Sequence, residues 1–184
     1  MTWGRLLTKA CTSALLGALA AGCSAPSVGQ FVPQRLPDEP TFSPVAELLV
    51  VRCGSLDCHG KIGRNLRLFG SAGLRLSPSE SPFVPLCDTA AEVSQDYDSL
   101  VGLEPELLGG VVAGGDPSAL TLVRKARGAE AHKGGTIWAA GDDSDTCLVG
   151  WLQGDLKPAA CARGVASVLP GSTSNALLTC LAAP

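Results

Sequence analysis

Eight cysteines, at positions 11, 23, 53, 58, 87, 147, 161 and 180, constrain this 184-residue chain more than any other feature. That number is high for a cytosolic protein and usual where disulfides persist. Cys11 lies inside an apolar stretch near the start, Cys23 stands just behind it, and six more are spread over the rest. An even six in an oxidising compartment predicts that they are used in pairs. Between them lie 22 Gly and 13 Pro, which predict short elements joined by long loops. The chain is 46% apolar and 17% charged, enough to bury a core and too apolar for disorder. A net charge of −3 excludes electrostatic tracking of nucleic acid.

Residues 1–22 read as a secretory signal. Arg5 and Lys9 form a short basic region, and Ala10 to Ala20 is an apolar run too short to span a bilayer. The run ends in Leu19-Ala20-Ala21-Gly22-Cys23, which resembles a bacterial lipobox and implies lipid on Cys23. Removal of the signal takes away Cys11, Arg5, Lys9 and the only methionine, Met1. The expected location is then the bacterial cell envelope, lipid-anchored on its periplasmic or outer-surface side. Residues 23–40, with Pro26, Pro33, Pro37 and Pro40, read as an extended linker, with folded sequence beginning near Thr41.

The expected fold class is mainly α: a small helical domain over 41–156 with long loops, and a tail over 157–184. A first helix is expected from Pro44 to about Arg52, capped by Ser43, with Val45, Leu48 and Leu49 as its stripe. A second follows Thr89-Ala90-Ala91-Glu92, a capping-box signature, with Val93, Tyr97, Leu100 and Val101 on one face. A Gly-rich link then leads to a third helix from Asp116-Pro117 to about Ala126, burying Leu120 and Val123. A fourth is expected from Ser144 to Gln153, capped by Asp143, with Cys147, Leu148, Trp151 and Leu152 inward. Alternation at Leu66, Leu68 and at Leu74, Leu76 suggests a small hairpin.

Chemistry concentrates in Cys53-Gly54-Ser55-Leu56-Asp57-Cys58-His59-Gly60, a C-x4-C-H-G pattern. The c-type haem attachment motif is C-x2-C-H: two thiols form thioethers and the adjacent His becomes the proximal ligand. On a helix, a spacing of three shares a face, whereas five steps of about 100° fall about 140° off it. The two extra residues must therefore bulge, which Gly54 and Ser55 tolerate.

A second segment agrees. Ser118 to Ala126 reads S-A-L-T-L-V-R-K-A, followed by His132-Lys133-Gly134-Gly135, Trp138, Gly141-Asp142 and a closing Trp151-Leu152 helix. With the helix ahead of Cys53 and the helix near Tyr97, this order resembles cytochrome c-like domains of planctomycete and myxobacterial type, over about residues 41–155. The resemblance implies covalent haem c on Cys53 and Cys58, His59 as proximal ligand and His132 as distal ligand. It implies a one-electron carrier rather than a catalyst, with redox proteins as partners and a lipid membrane held through Cys23. His59 and His132 are the only histidines, and the mature chain lacks the Met of a His/Met site. Lys133 or an open distal face are the other possibilities for the sixth position.

Other readings stay open. Cys53 and Cys58 could close a local disulfide in a haem-free, disulfide-stapled surface lipoprotein that binds or scaffolds. Zinc on Cys53, Cys58, His59 and His132 is formally possible, though adjacent Cys58 and His59 are awkward tetrahedral partners. Cys87 with Cys147 and Cys161 with Cys180 are the expected disulfides, one of three connectivities that four cysteines allow. Arg64, Arg67 and Arg75 could meet haem propionates or lie in solvated loop. Trp138 and Trp151 could face a haem edge or serve as core aromatics.

Overall fold

The computed structural model describes residues 34–78 and 88–168; residues 1–33, which hold the segment read as a signal, Cys23 and most of the segment read as a linker, and Cys87 and Cys180 lie outside them. Within the described residues the chain is mainly helical, with no strand beyond one isolated bridge between Phe69 and Leu74. The helices are α1 (Ser43–Cys53), α2 (Ala90–Val101), α3 (Pro105–Val112), α4 (Thr121–Ala126), α5 (Asp143–Leu152) and α6 (Pro158–Ala166). Short 3-10 turns precede α1 at Glu39–Thr41 and α4 at Pro117–Ala119.

Packing begins ahead of Thr41. The Tyr97 hydroxyl donates to the Pro37 carbonyl at 2.8 Å, and the Trp151 indole N–H donates to the Asp38 carbonyl at 2.9 Å. The two aromatic donors thereby satisfy their polar ends while their rings enter the core. Phe42 sits between them, its ring centre 4.7 Å from Trp151 and 5.6 Å from Tyr97. Around this cluster pack Leu48, Leu49, Leu148 and Leu152, all fully buried.

Helix ends differ from expectation by the residue that satisfies the first amides. Ser43 is the first residue of α1 rather than its cap, and Phe42 occupies the cap position with no side-chain bond. The capping box of α2 forms: Thr89 accepts from the Glu92 amide and the Glu92 carboxylate accepts from the Thr89 amide. Asp142, not Asp143, caps α5 by accepting from the Asp145 amide at 2.9 Å. The helix expected from Asp116 breaks at Leu120, whose ψ is 130°. There the Glu104 carboxylate accepts from the Thr121 amide and hydroxyl, both at 2.7 Å, and caps α4 from outside.

Two helices replace segments read as irregular. Pro105 and Glu106 start α3 as a first turn favours, and burial of Leu108 and Val111 outweighs Gly109 and Gly110, which cost about 1 kcal/mol each inside a helix. In the tail, α6 buries Ala160, Cys161, Gly164 and Val165 against α1 and α5.

The disulfide pairing also differs. Cys147 bonds to Cys161, with Cα atoms 4.7 Å apart, so neither Cys87–Cys147 nor Cys161–Cys180 forms. The reason is the short turn after Leu152: Gly154 has φ +76°, and the Asp155 amide donates to the Gly150 carbonyl at 2.7 Å. The chain folds back at once, and α6 lies on α5 with the two thiols facing. Gly164 makes the approach possible, because a Cβ there would stand 2.9 Å from the Ser144 hydroxyl.

Candidate functional site

Helix α1 delivers Cys53 as its last residue, buried in the core. The chain then leaves the helix in a compact loop. The Ser55 carbonyl accepts from the Cys58 amide at 2.9 Å and the Gly60 amide at 3.0 Å, and the His59 amide returns to the Cys53 carbonyl at 2.9 Å. The added residues of the C-x4-C-H spacing therefore bulge in a closed loop that begins at Gly54 and brings His59 back over the end of α1. Glycine is required where this loop packs: a Cβ on Gly60 or on Gly73 would collide with the Gly54 carbonyl oxygen. Cys58 is half-buried, and both Cys53 and Cys58 carry free thiols. Burial, with the neighbouring Cys58 thiol adding, pushes the Cys53 thiol up to about 12, so it is not a thiolate at neutral pH.

An extended segment, 66–69, fixes the His59 ring. His59 Nδ1 lies 2.8 Å from the Leu66 carbonyl oxygen, and the Leu68 amide donates to the His59 carbonyl at 2.9 Å. A carbonyl only accepts, so Nδ1 carries the proton and Nε2 keeps its lone pair. Burial is the main force that holds this imidazole below its usual pKa; the Leu66 bond opposes it, while His132, Arg64 and Lys125 add to it. His59 is thus neutral at pH 7, the form that ligates metals.

His132 comes from the loop after α4. Its carbonyl accepts from the Gly135 amide at 2.9 Å, and Gly135 has φ +66°, the left-handed conformation that makes the H-x-G-G turn tight. The amides of Ile137 and Trp138 both reach the Ala126 carbonyl, at 2.9 and 3.2 Å, and tie the loop to the end of α4. The imidazoles of His59 and His132 meet across a cavity: their centres are 5.9 Å apart and their planes 23° from parallel. His132 Nδ1 is buried without a hydrogen-bond partner.

The cavity has a volume of about 320 Å³, at the small end of ligand sites. Its walls are mainly apolar, from Leu66, Leu103, Leu122, Ala126 and Ile137, with Cys53 at the end of α1. Glu104 and Lys125 supply charge. Sequence reasoning missed Leu103, Glu104, Lys125 and Ile137. Lys125 stands five residues after Leu120, about 140° off the stripe of that helix, so the stripe gave no signal for it.

The remaining candidates fall elsewhere. Lys133 is exposed in its turn. Arg75 is committed to a buried ion pair with Glu92 at 2.9 Å. Arg67 stacks over the Phe69 ring at 5.0 Å, and Arg64 donates to the Cys58 and Asp57 carbonyls. Trp151 belongs to the aromatic core; Trp138 is also buried, its Nε1 without a partner. Among the described residues, no three His, Cys, Asp or Glu gather as a metal-binding group, so the four-ligand zinc arrangement is not formed. Also among them, no helix is long and apolar enough to cross a membrane.

Comparison with family models, with curated proteins and with solved structures finds no match to this chain.

Proposed function

We propose that this chain is an envelope-anchored, c-type cytochrome-like lipoprotein that carries one covalently attached haem and transfers single electrons between redox proteins. The observation that carries this reading is the facing of His59 and His132 across a mainly apolar cavity lined by Cys53, whose free thiol has that of Cys58 as its neighbour. Two imidazoles sharing one metal ion would have ring centres about 6 Å apart, from metal–nitrogen bonds of about 2.0 Å and ring radii of about 1.1 Å. The observed separation is 5.9 Å, with the rings stacked 23° from parallel. With Nδ1 of His59 committed to the Leu66 carbonyl, its Nε2 is the nitrogen that such a ligand would engage, whereas Nδ1 of His132 is buried beside Gly134.

Cys53 and Cys58 would hold the porphyrin edge, and His59 and His132 the iron. When bound, the group supplies one-electron redox chemistry, at a potential below that of a comparable His/Met site. The chain's own part is positional. The Leu66 carbonyl sets the His59 tautomer and ring plane. The mainly apolar walls lower the polarity around the slot, and the H-x-G-G turn with its Ala126 anchor holds His132.

The test is an alkaline pyridine haemochrome spectrum of protein exported by a host with cytochrome c maturation machinery. The expected result is a c-type band that stays with the denatured polypeptide and is lost in Cys58→Ala. In His132→Ala the band persists, while the native spectrum changes from low-spin to an open or water-bound site. A colourless, correctly exported protein would overturn the reading and leave a disulfide-braced lipoprotein that binds or scaffolds.

A further inference from the structure

The segment that orients His59 is itself held from its other side. Along 66–69 the backbone bonds alternate. The Leu66 carbonyl and the Leu68 amide face His59, whereas the Arg67 and Phe69 amides face α2. Arg67 donates to the Ser99 hydroxyl at 2.8 Å, and Phe69 donates to Asp96 Oδ1 at 2.7 Å. Further along, the Ser71 amide donates to Asp88 at 2.9 Å and the Leu76 amide to Glu92 at 3.1 Å. Among the described residues, no side chain other than Asp96 reaches this short segment with a carboxylate, and Asp96 is fully buried with Oδ2 lacking a partner.

We infer that Asp96 is a positioning residue for His59, acting through the Phe69 amide and the 66–69 segment on the Leu66 carbonyl that holds the imidazole. An ionised carboxylate accepts a shorter and stronger bond than a neutral carboxyl. Ionisation of Asp96 therefore pulls the Phe69 amide toward α2 and shifts the segment whose opposite edge grips His59. The surroundings favour the neutral form near pH 7. Burial pushes the Asp96 carboxyl up to about 8; the Phe69 bond and Arg67 act against this, and the charges of Asp88 and Glu92 reinforce it. The other charged groups of this region are Arg75, paired with Glu92, and Glu47 of α1, which senses Asp88. The positioning role stands on the hydrogen bonds alone; its redox consequence rests on the haem reading above.

The experiment follows the Phe69 amide and the His59 Cε1–H by NMR between pH 6 and 9.5. It uses the full chain as isolated, reduced and diamagnetic if it carries haem. In the wild type both signals are expected to move with one shared midpoint near 8. His59's own titration lies at lower pH, below its ordinary value. Asp96→Asn keeps the accepting oxygen and removes the ionisation, and both movements should vanish. Asp88→Asn removes a charge that raises Asp96, so the two midpoints should fall together; this variant serves if Asp96→Asn does not fold. A Phe69 amide that does not titrate, a His59 signal that ignores the shared midpoint, or a midpoint retained in Asp96→Asn would overturn the inference. In haem-loaded protein the midpoint potential should fall with rising pH over the same range and stay flat in Asp96→Asn. A negative haemochrome test with the NMR coupling intact would sink the haem reading and leave the positioning role standing.

Discussion

Arg127 and Asp145 form a two-pronged ion pair, with Nε donating to Oδ1 and Nη2 to Oδ2, both at 2.8 Å. The same carboxylate accepts from the Gly141 amide at 2.7 Å. One buried acid therefore ties the end of α4, the loop behind His132 and the first turn of α5. The hydrogen bonds to Asp145 also raise the Arg127 guanidinium above its ordinary pKa. Arg127→Ala would leave Asp145 buried without its cation, and a loss of about 3 kcal/mol is expected. Urea denaturation monitored by far-UV circular dichroism measures it; a change under about 0.5 kcal/mol, the range of ordinary surface substitutions, would refute it.

The Cys147–Cys161 bond closes a short loop, and both residues are buried. A double Cys→Ala variant should lose about 3 kcal/mol, the size expected for a loop of about 15 residues. In the native protein the bond should resist mild reductant, because the thiolate attacking it has no access. Rapid reduction without unfolding, followed by thiol labelling and mass spectrometry, would contradict the observed burial.

Stability should fall as pH rises from about 4 to about 8. Burial is the first cause that raises Glu47 to about 7, Asp88 to about 6 and Asp96 to about 8. Each has a folded pKa above its unfolded value near 4, so the folded state binds more protons in this window. Their contribution is fully present below about pH 4 and is lost as pH climbs through the folded values. His59 works in the opposite sense: its lowered pKa contributes stability above about 6.5 that is lost as pH falls through its folded value. Three carboxyls against one imidazole give a net decline. Thermal melts at constant ionic strength should show the midpoint decreasing across this range, and a rising midpoint would refute the carboxyl assignment.

Gly60→Ala should be among the most damaging single substitutions near the cavity. The new methyl would meet the Gly54 carbonyl, backbone that cannot swing aside as a side chain can. A cost of about 2–3 kcal/mol is expected from overpacking. Gly63→Ala, ahead in the same loop, meets nothing within 4 Å, though its φ of +87° still strains an Ala. Comparing the two by denaturation separates collision from backbone strain, and equal costs would refute the collision.

The sequence made α2 legible because its start is local: Thr89 and Glu92 satisfy each other's amides within three residues. The break at Leu120 was not legible, because the Glu104 carboxylate that caps Thr121 comes from 17 residues away. Helix α6 was missed because its buried face is made of Ala160, Cys161, Gly164 and Val165, small residues of the kind that also fill an irregular tail. The disulfide pairing depended on how tightly the chain turns at Gly154, which spacing alone does not encode. The alternation at Leu66 and Leu68 was visible, yet its partners are a helix and a loop rather than a second strand. At the site, the two histidines stood out by scarcity, and their facing across the cavity required the whole fold.

The cross-link between α5 and α6 sits away from the cavity, yet it stiffens one of the cavity's mountings. Arg52, one residue before Cys53, donates through Nη2 to the Ser144 hydroxyl at the start of α5, to the Gly164 carbonyl of α6 and to the Ser167 hydroxyl behind it. The guanidinium grips all three only while α5 and α6 stay docked, which the Cys147–Cys161 bond enforces. Without the cross-link, the clamp on the last turn of α1 would rest on the packing of α5 against α6 alone. Cross-linking of a distant pair of thiols in this sense braces the pocket from behind the helix that ends in Cys53.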